Sequence, residues 1–76
     1  MKSVVRITGY SRKFMAISFV KLVRQATGEG LAPAKNRLDR LLTGETIELE
    51  FQDTEAAQAF VHSLAEIGGI ADVSSL

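Results

Sequence analysis

The spacing of apolar residues changes repeatedly along the chain, and each change predicts an element. Val4-Val5-Arg6-Ile7-Thr8 is β-branched and roughly alternating, so it reads as a strand with Val5 and Ile7 on the inner face. Gly9-Tyr10-Ser11-Arg12 reads as the loop that follows. From about residue 14 to residue 27 the period becomes helical, and Met15, Phe19, Leu22, Val23 and Ala26 fall on one stripe, the expected core face. Gly28 ends that helix as a left-handed cap, and Gly30 opens the next. Pro33 fits there because the first helical turn has no intrahelical use for its missing N–H. Leu31, Ala34, Leu38 and Leu41 line the expected inner face of this second helix. Lys35, Asn36, Asp39 and Arg40 take the outer one, with Arg37 at the margin.

Thr43-Gly44-Glu45 breaks the second helix, and Thr46-Ile47-Glu48-Leu49-Glu50-Phe51 alternates cleanly. Ile47, Leu49 and Phe51 face in while Glu48 and Glu50 face out, the pattern of a sheet covered on one side only. Asp53 or Thr54 is expected to cap a third helix, with Glu55 in its first turn complementing the macrodipole. Ala56, Ala57, Phe60, Leu64 and Ile67 pack inward, Gly68-Gly69 closes the helix, and Ile70-Ala71-Asp72-Val73 forms a last short strand. The order strand, helix, helix, strand, helix, strand predicts an α+β two-layer sandwich. Its three-stranded antiparallel or mixed sheet has all helices on one face and the first strand central, antiparallel to both neighbours. A chain of 76 residues has room for one domain, residues 1–76, and buries only about 60–65% of its unfolded surface.

Composition narrows the chemistry. There is no cysteine, which excludes disulfides, a thiol nucleophile and thiolate zinc sites. No apolar run reaches the length of a membrane-spanning helix, and Met-Lys-Ser-Val-Val-Arg lacks a signal-peptide core, so a cytoplasmic location without membrane contact is expected. The zero net charge conceals an asymmetry: residues 1–40 hold nine bases and two acids, a net +7, and residues 41–76 hold seven acids and no base, a net −7. Such a separation is expected to survive folding as a strong dipole that steers partners.

Candidate catalytic groups are sparse. Thr27-Gly28-Glu29-Gly30 invites a phosphate-loop reading, but Pro33 stands where a third glycine is needed, and a helix precedes the loop instead of a strand. His62 lies on the outward face of the third helix with Gln58, Glu55 and Glu66, and a weak surface pair with Glu66 at i+4 is expected. It has no nucleophile or orienting partner in sequence reach, so no catalytic residue, metal ligand or cofactor is assigned and the protein is read as a non-enzyme. Ile17, Val20, Lys21 and Arg24 are more informative. The core stripe of the first helix points these four away from the centre, with Lys21 and Arg24 at i+4 and i+7 from Ile17. Lys35 and Arg37 extend the basic rim. Apolar contacts ringed by cations suit a weak docking surface for an acidic protein; the competing reading is a solvated helix face.

The run Val20-Lys21-Leu22-Val23-Arg24-Gln25-Ala26-Thr27-Gly28-Glu29-Gly30-Leu31, with Ala34-Lys35 after it, resembles the C-terminal domain of the bacterial large-subunit ribosomal stalk protein seven/twelve. Asp53-Thr54-Glu55-Ala56 and Leu64-Ala65-Glu66-Ile67-Gly68-Gly69 look like that family's last helix and its glycine exit. The resemblance implies the same sandwich and a non-catalytic recruiter whose first two helices dock translational GTPases. Ile17, Val20, Lys21, Arg24 and Lys35 would bind the partner, with Gly28 and Gly30 as structural glycines. Ala16 and Ala32 stand where the family usually has lysine, and Glu29 replaces an apolar residue in the turn. The family's dimerisation segment and hinge have no counterpart in the 76 residues, so an isolated domain or a free-standing relative is expected. The fold also resembles ClpS, the adaptor of a Clp protease. Its Asn-Asp-Asp substrate stretch corresponds here to Thr8-Gly9-Tyr10-Ser11, so amino-terminal degron binding is not implied.

Two other partner classes follow from charge. The basic half could bind nucleic acid, but its helices lack an aromatic stacking platform and the acidic half repels a polyanion. Basic and acidic ends could also pair between copies to give a homo-oligomer.

Overall fold

The computed structural model describes residues 2–75; Met1 and Leu76, the ends of the expected domain, lie outside the described residues. The elements are β1 (Ser3–Tyr10), α1 (Ala16–Thr27), α2 (Leu31–Leu42), β2 (Ile47–Phe51), α3 (Thr54–Glu66) and β3 (Gly69–Ser75). The sheet has the order β2-β1-β3, with β1 antiparallel to both neighbours. Side-chain alternation divides the sheet into two faces. Val5, Ile7, Ile47 and Leu49 are buried against the helices, while Arg6, Glu48, Glu50 and Asp72 stand on the open side. The α+β sandwich is as the apolar periodicity predicts.

The core comprises those strand residues with Phe19 and Val23 of α1, Ala34, Leu38 and Leu41 of α2, and Ala57, Phe60 and Leu64 of α3. Every one of these helical residues lies on the stripe its sequence spacing predicts. The departures cluster at helix ends. Met15 is 53% exposed because it is the N-cap of α1, with an extended backbone (φ −104°, ψ 95°), so the helical phase does not apply to it. Ala26 in the last turn of α1, Leu31 at the start of α2 and Ala56 in the first turn of α3 are exposed as well.

The expected loop at Gly9–Arg12 begins later than its glycine suggests. A bulge between Ile7 and Gly9 inserts Thr8, after which β1 continues to pair with β3 as far as Tyr10. The added twist lets Tyr10 reach α2, where its hydroxyl donates to the Leu42 carbonyl (3.4 Å). Tyr10, Phe14 and Phe19 form a tilted aromatic row, with centroids 5.1 and 5.5 Å apart, that leads from the surface into the core.

Two contacts pin the start of α1. Ser11 N–H donates to the Gly68 carbonyl (2.8 Å) and Met15 N–H to the Ile67 carbonyl (2.9 Å), stitching the β1–α1 loop to the α3–β3 turn. Gly68 adopts φ +90°, and a Cβ there would sit 2.8 Å from the Phe14 backbone, so the turn requires glycine twice over. Asp53 is the α3 cap, accepting from Ala56 N–H at 2.7 Å. The buried Ser3 hydroxyl lies 2.8 Å from that of Thr54, tying β1 to the same helix start. No helix among the described residues is long and apolar enough to cross a membrane.

Candidate protein-docking surface

Helix α1 buries Phe19 and Val23 and thereby turns the opposite phase outward. Ile17 is 77% exposed, the most open of the exposed large apolar side chains, and Val20 lies half-buried against the core beside it. The next helix comes back alongside because Gly28 adopts the left-handed conformation (φ +73°) and returns its N–H to the Arg24 carbonyl (2.9 Å). Gly30 caps α2 with φ −74° and open space at its Cβ position, so only Gly28 of the two uses a backbone that other residues resist.

The two helices enclose an open groove of ≈ 390 Å³. Ala16, Ile17 and Val20 from α1 and Leu31 and Leu38 from α2 form its apolar floor, and Lys21, Arg24 and Lys35 its rim. All five residues expected to bind a partner therefore meet in one concavity. Leu31, expected in the core, is 58% exposed and belongs to this groove instead. Its phase matches that of Ala34 and Leu38, but as the first residue of α2 it stays open to solvent. Ala16, where the stalk family usually has lysine, lines the groove as an apolar contact.

Charge pairing separates the rim from Arg6, Arg37 and Arg40. Three ion pairs occur among the described residues: Arg6–Glu48 (3.0 Å), Arg37–Glu29 (2.9 Å) and Arg40–Glu45 (3.2 Å). Lys21, Arg24 and Lys35 take part in none of them. Arg37 does not extend the rim as the sequence suggests, because its guanidinium forks onto both carboxylate oxygens of Glu29 at 2.9 and 3.1 Å. These hydrogen bonds hold the Glu29 carboxyl below its ordinary 4.5, against the opposing effect of partial burial. The acid in the interhelical turn is thus neutralised by α2 and does not quench the groove.

The two sequence halves do not become two faces. β1, from the basic half, lies between the acidic strands, and Arg6 stands opposite both Glu48 and Asp72. The polarity survives in the helical layer, where α1 and α2 carry the free cations of the groove and α3 carries Glu55 and Glu66. His62 is exposed on α3 and forms no ion pair with Glu66, contrary to expectation. Among the described residues no cluster of three or more His, Asp or Glu could hold a metal, and no buried side-chain nitrogen or oxygen lacks a partner.

No protein-family model matches the chain, and a search of curated proteins finds no match either.

Proposed function

We propose that the protein is a non-catalytic, cytoplasmic docking module whose α1–α2 groove binds an acidic protein surface, as the resemblance to the stalk C-terminal domain suggests. A translational GTPase is the first candidate partner. The observation that carries the reading is the exposed Ile17 within a groove whose three cations have no partner of their own. An apolar floor supplies contact area, and unpaired cations at its edge select an acidic partner and speed its encounter. Neither group is needed by the fold, since Lys21, Arg24 and Lys35 are exposed and Ile17 is largely in water. An adaptor that presents the same face to another acidic protein is the alternative.

The test is an affinity comparison by fluorescence anisotropy between the wild type and the Lys21→Ala/Arg24→Ala variant, against purified translational GTPases. The expected result is binding that weakens about tenfold or more in a variant with unchanged thermal unfolding. Equal affinity for both forms contradicts the docking surface, and binding to another acidic protein alone favours the adaptor.

A further inference from the structure

Glu29 stands between two sets of cations. It lines a cleft of ≈ 400 Å³ together with Lys21, Arg24, Gln25 and Gly28, and a second of ≈ 190 Å³ together with Pro33, Asn36, Arg37 and Arg40. It is the one residue that the two clefts share. The first sets its carboxylate beside two of the three rim cations of the α1–α2 groove, and the second sets it beside α2. Its backbone is fixed at the end of α1. Gly28 N–H donates to the Arg24 carbonyl (2.9 Å), Glu29 N–H donates to the Thr27 hydroxyl (3.2 Å), and that hydroxyl donates to the Val23 carbonyl (2.8 Å). What remains free is the Glu29 side chain, whose torsions choose between the two sets.

The structure shows it turned to α2. Arg37 donates from Nε to one Glu29 oxygen and from Nη2 to the other, at 2.9 and 3.1 Å. Of the three ion pairs this is the most covered, with side chains 25% and 28% exposed, and the one whose guanidinium engages both carboxylate oxygens. A fork of this kind is more directional than a single contact and holds better where solvent is partly excluded. Take the fork away and the carboxylate keeps its charge, while the nearest unpaired cations are those of the other cleft, Arg24 and Lys21.

We propose that Arg37 is a positioning residue of the α1–α2 groove: it holds the Glu29 carboxylate on the α2 side and so keeps Arg24 and Lys21 free for an acidic partner. Without its donors Glu29 turns back on Arg24, an autoinhibitory contact supplied by the chain itself. The consequence for binding rests on the docking role given to the groove; the cause rests on the ion pair alone.

The test reads the arginine Nε–H signals of the free protein in ¹H–¹⁵N spectra and, beside them, the affinity for purified translational GTPases. Arg37→Met keeps most of the stem and removes the donors. In it the Arg24 signal is expected to move and the affinity to fall about three- to fivefold. Glu29→Gln/Arg37→Met has no carboxylate left to turn, and is expected to return both readings to their wild-type values. Arg40→Met takes the same charge from the same helix, but its partner Glu45 lines neither cleft, so both readings should stay as in the wild type. An Arg24 signal that stays still in Arg37→Met, a double variant as weak as Arg37→Met, or an equal loss in Arg40→Met overturns the positioning role. If no factor binds even the wild type, the docking role fails and the Arg24 signal alone decides on Arg37.

Discussion

Ile17→Ala separates a contact kept for a partner from one that holds the fold together. With 77% of its surface in water, Ile17 contributes little to folding, and the loss of its outer carbons leaves no cavity. Alanine is also the better helix former, by a few tenths of a kcal/mol. Unfolding free energy measured in urea should therefore change by less than about 0.5 kcal/mol. Binding is a different matter. Full burial of an isoleucine side chain is worth about 1.5–3 kcal/mol, and most of that surface is still available to be covered in the complex. Truncation should cost about 1.5–2 kcal/mol of affinity, a factor of roughly 10–30 in Kd by isothermal titration calorimetry. The heat-capacity change of binding should become less negative as well, since less apolar surface is buried. A variant that loses 2 kcal/mol or so of stability and keeps its affinity refutes the reasoning, because Ile17 would then be a packing residue.

Three further outcomes test the fold that presents the groove. Gly68→Ala forces alanine to φ +90° and sets its Cβ against the Phe14 backbone, so it should lower unfolding free energy by about 2–4 kcal/mol in urea, with the first protection lost at the start of α1 by hydrogen exchange. The folded-state pKa of Glu29 lies below its unfolded value. Its contribution to stability is thus present above the ordinary 4.5 and lost as pH falls through the depressed value; Glu29→Gln should remove that part of the acid sensitivity in urea midpoints measured across this range. Both outer strands have free edges, and Glu48 and Glu50 on β2 with Asp72 on β3 place like charges wherever two edges would meet. Glu48→Thr/Glu50→Thr should therefore self-associate in sedimentation runs at concentrations where the wild type remains a single slower species.

Strand β2 was the most legible part of the chain. Ile47 and Leu49 alternate with Glu48 and Glu50 without interruption, and the structure buries the first pair and exposes the second. The phase of α1 is equally readable: Phe19 and Val23 mark the buried face and leave Ile17, Lys21 and Arg24 outward, with Val20 half-buried at the margin. What spacing does not encode is which core-phase positions near a helix end stay uncovered. Leu31 and Ala26 follow the core phase and are exposed all the same, and Leu31 thereby becomes a groove residue. Nor does spacing show which base finds an acid: Arg37 looks like a rim residue until the fold brings Glu29 to it. The dipole suggested by the two charged halves met a related limit when the central position of β1 interleaved them.

That the α1–α2 face is kept for an acidic protein is tested most directly by backbone amide shifts. Titration of the ¹⁵N-labelled protein with a purified translational GTPase should move amides from Ala16 to Lys35, centred on Ile17, Lys21 and Arg24, and leave the open face of the sheet still. Undisturbed α1 amides in the presence of every such factor, or shifts confined to Glu48, Glu50 and Asp72, contradict it.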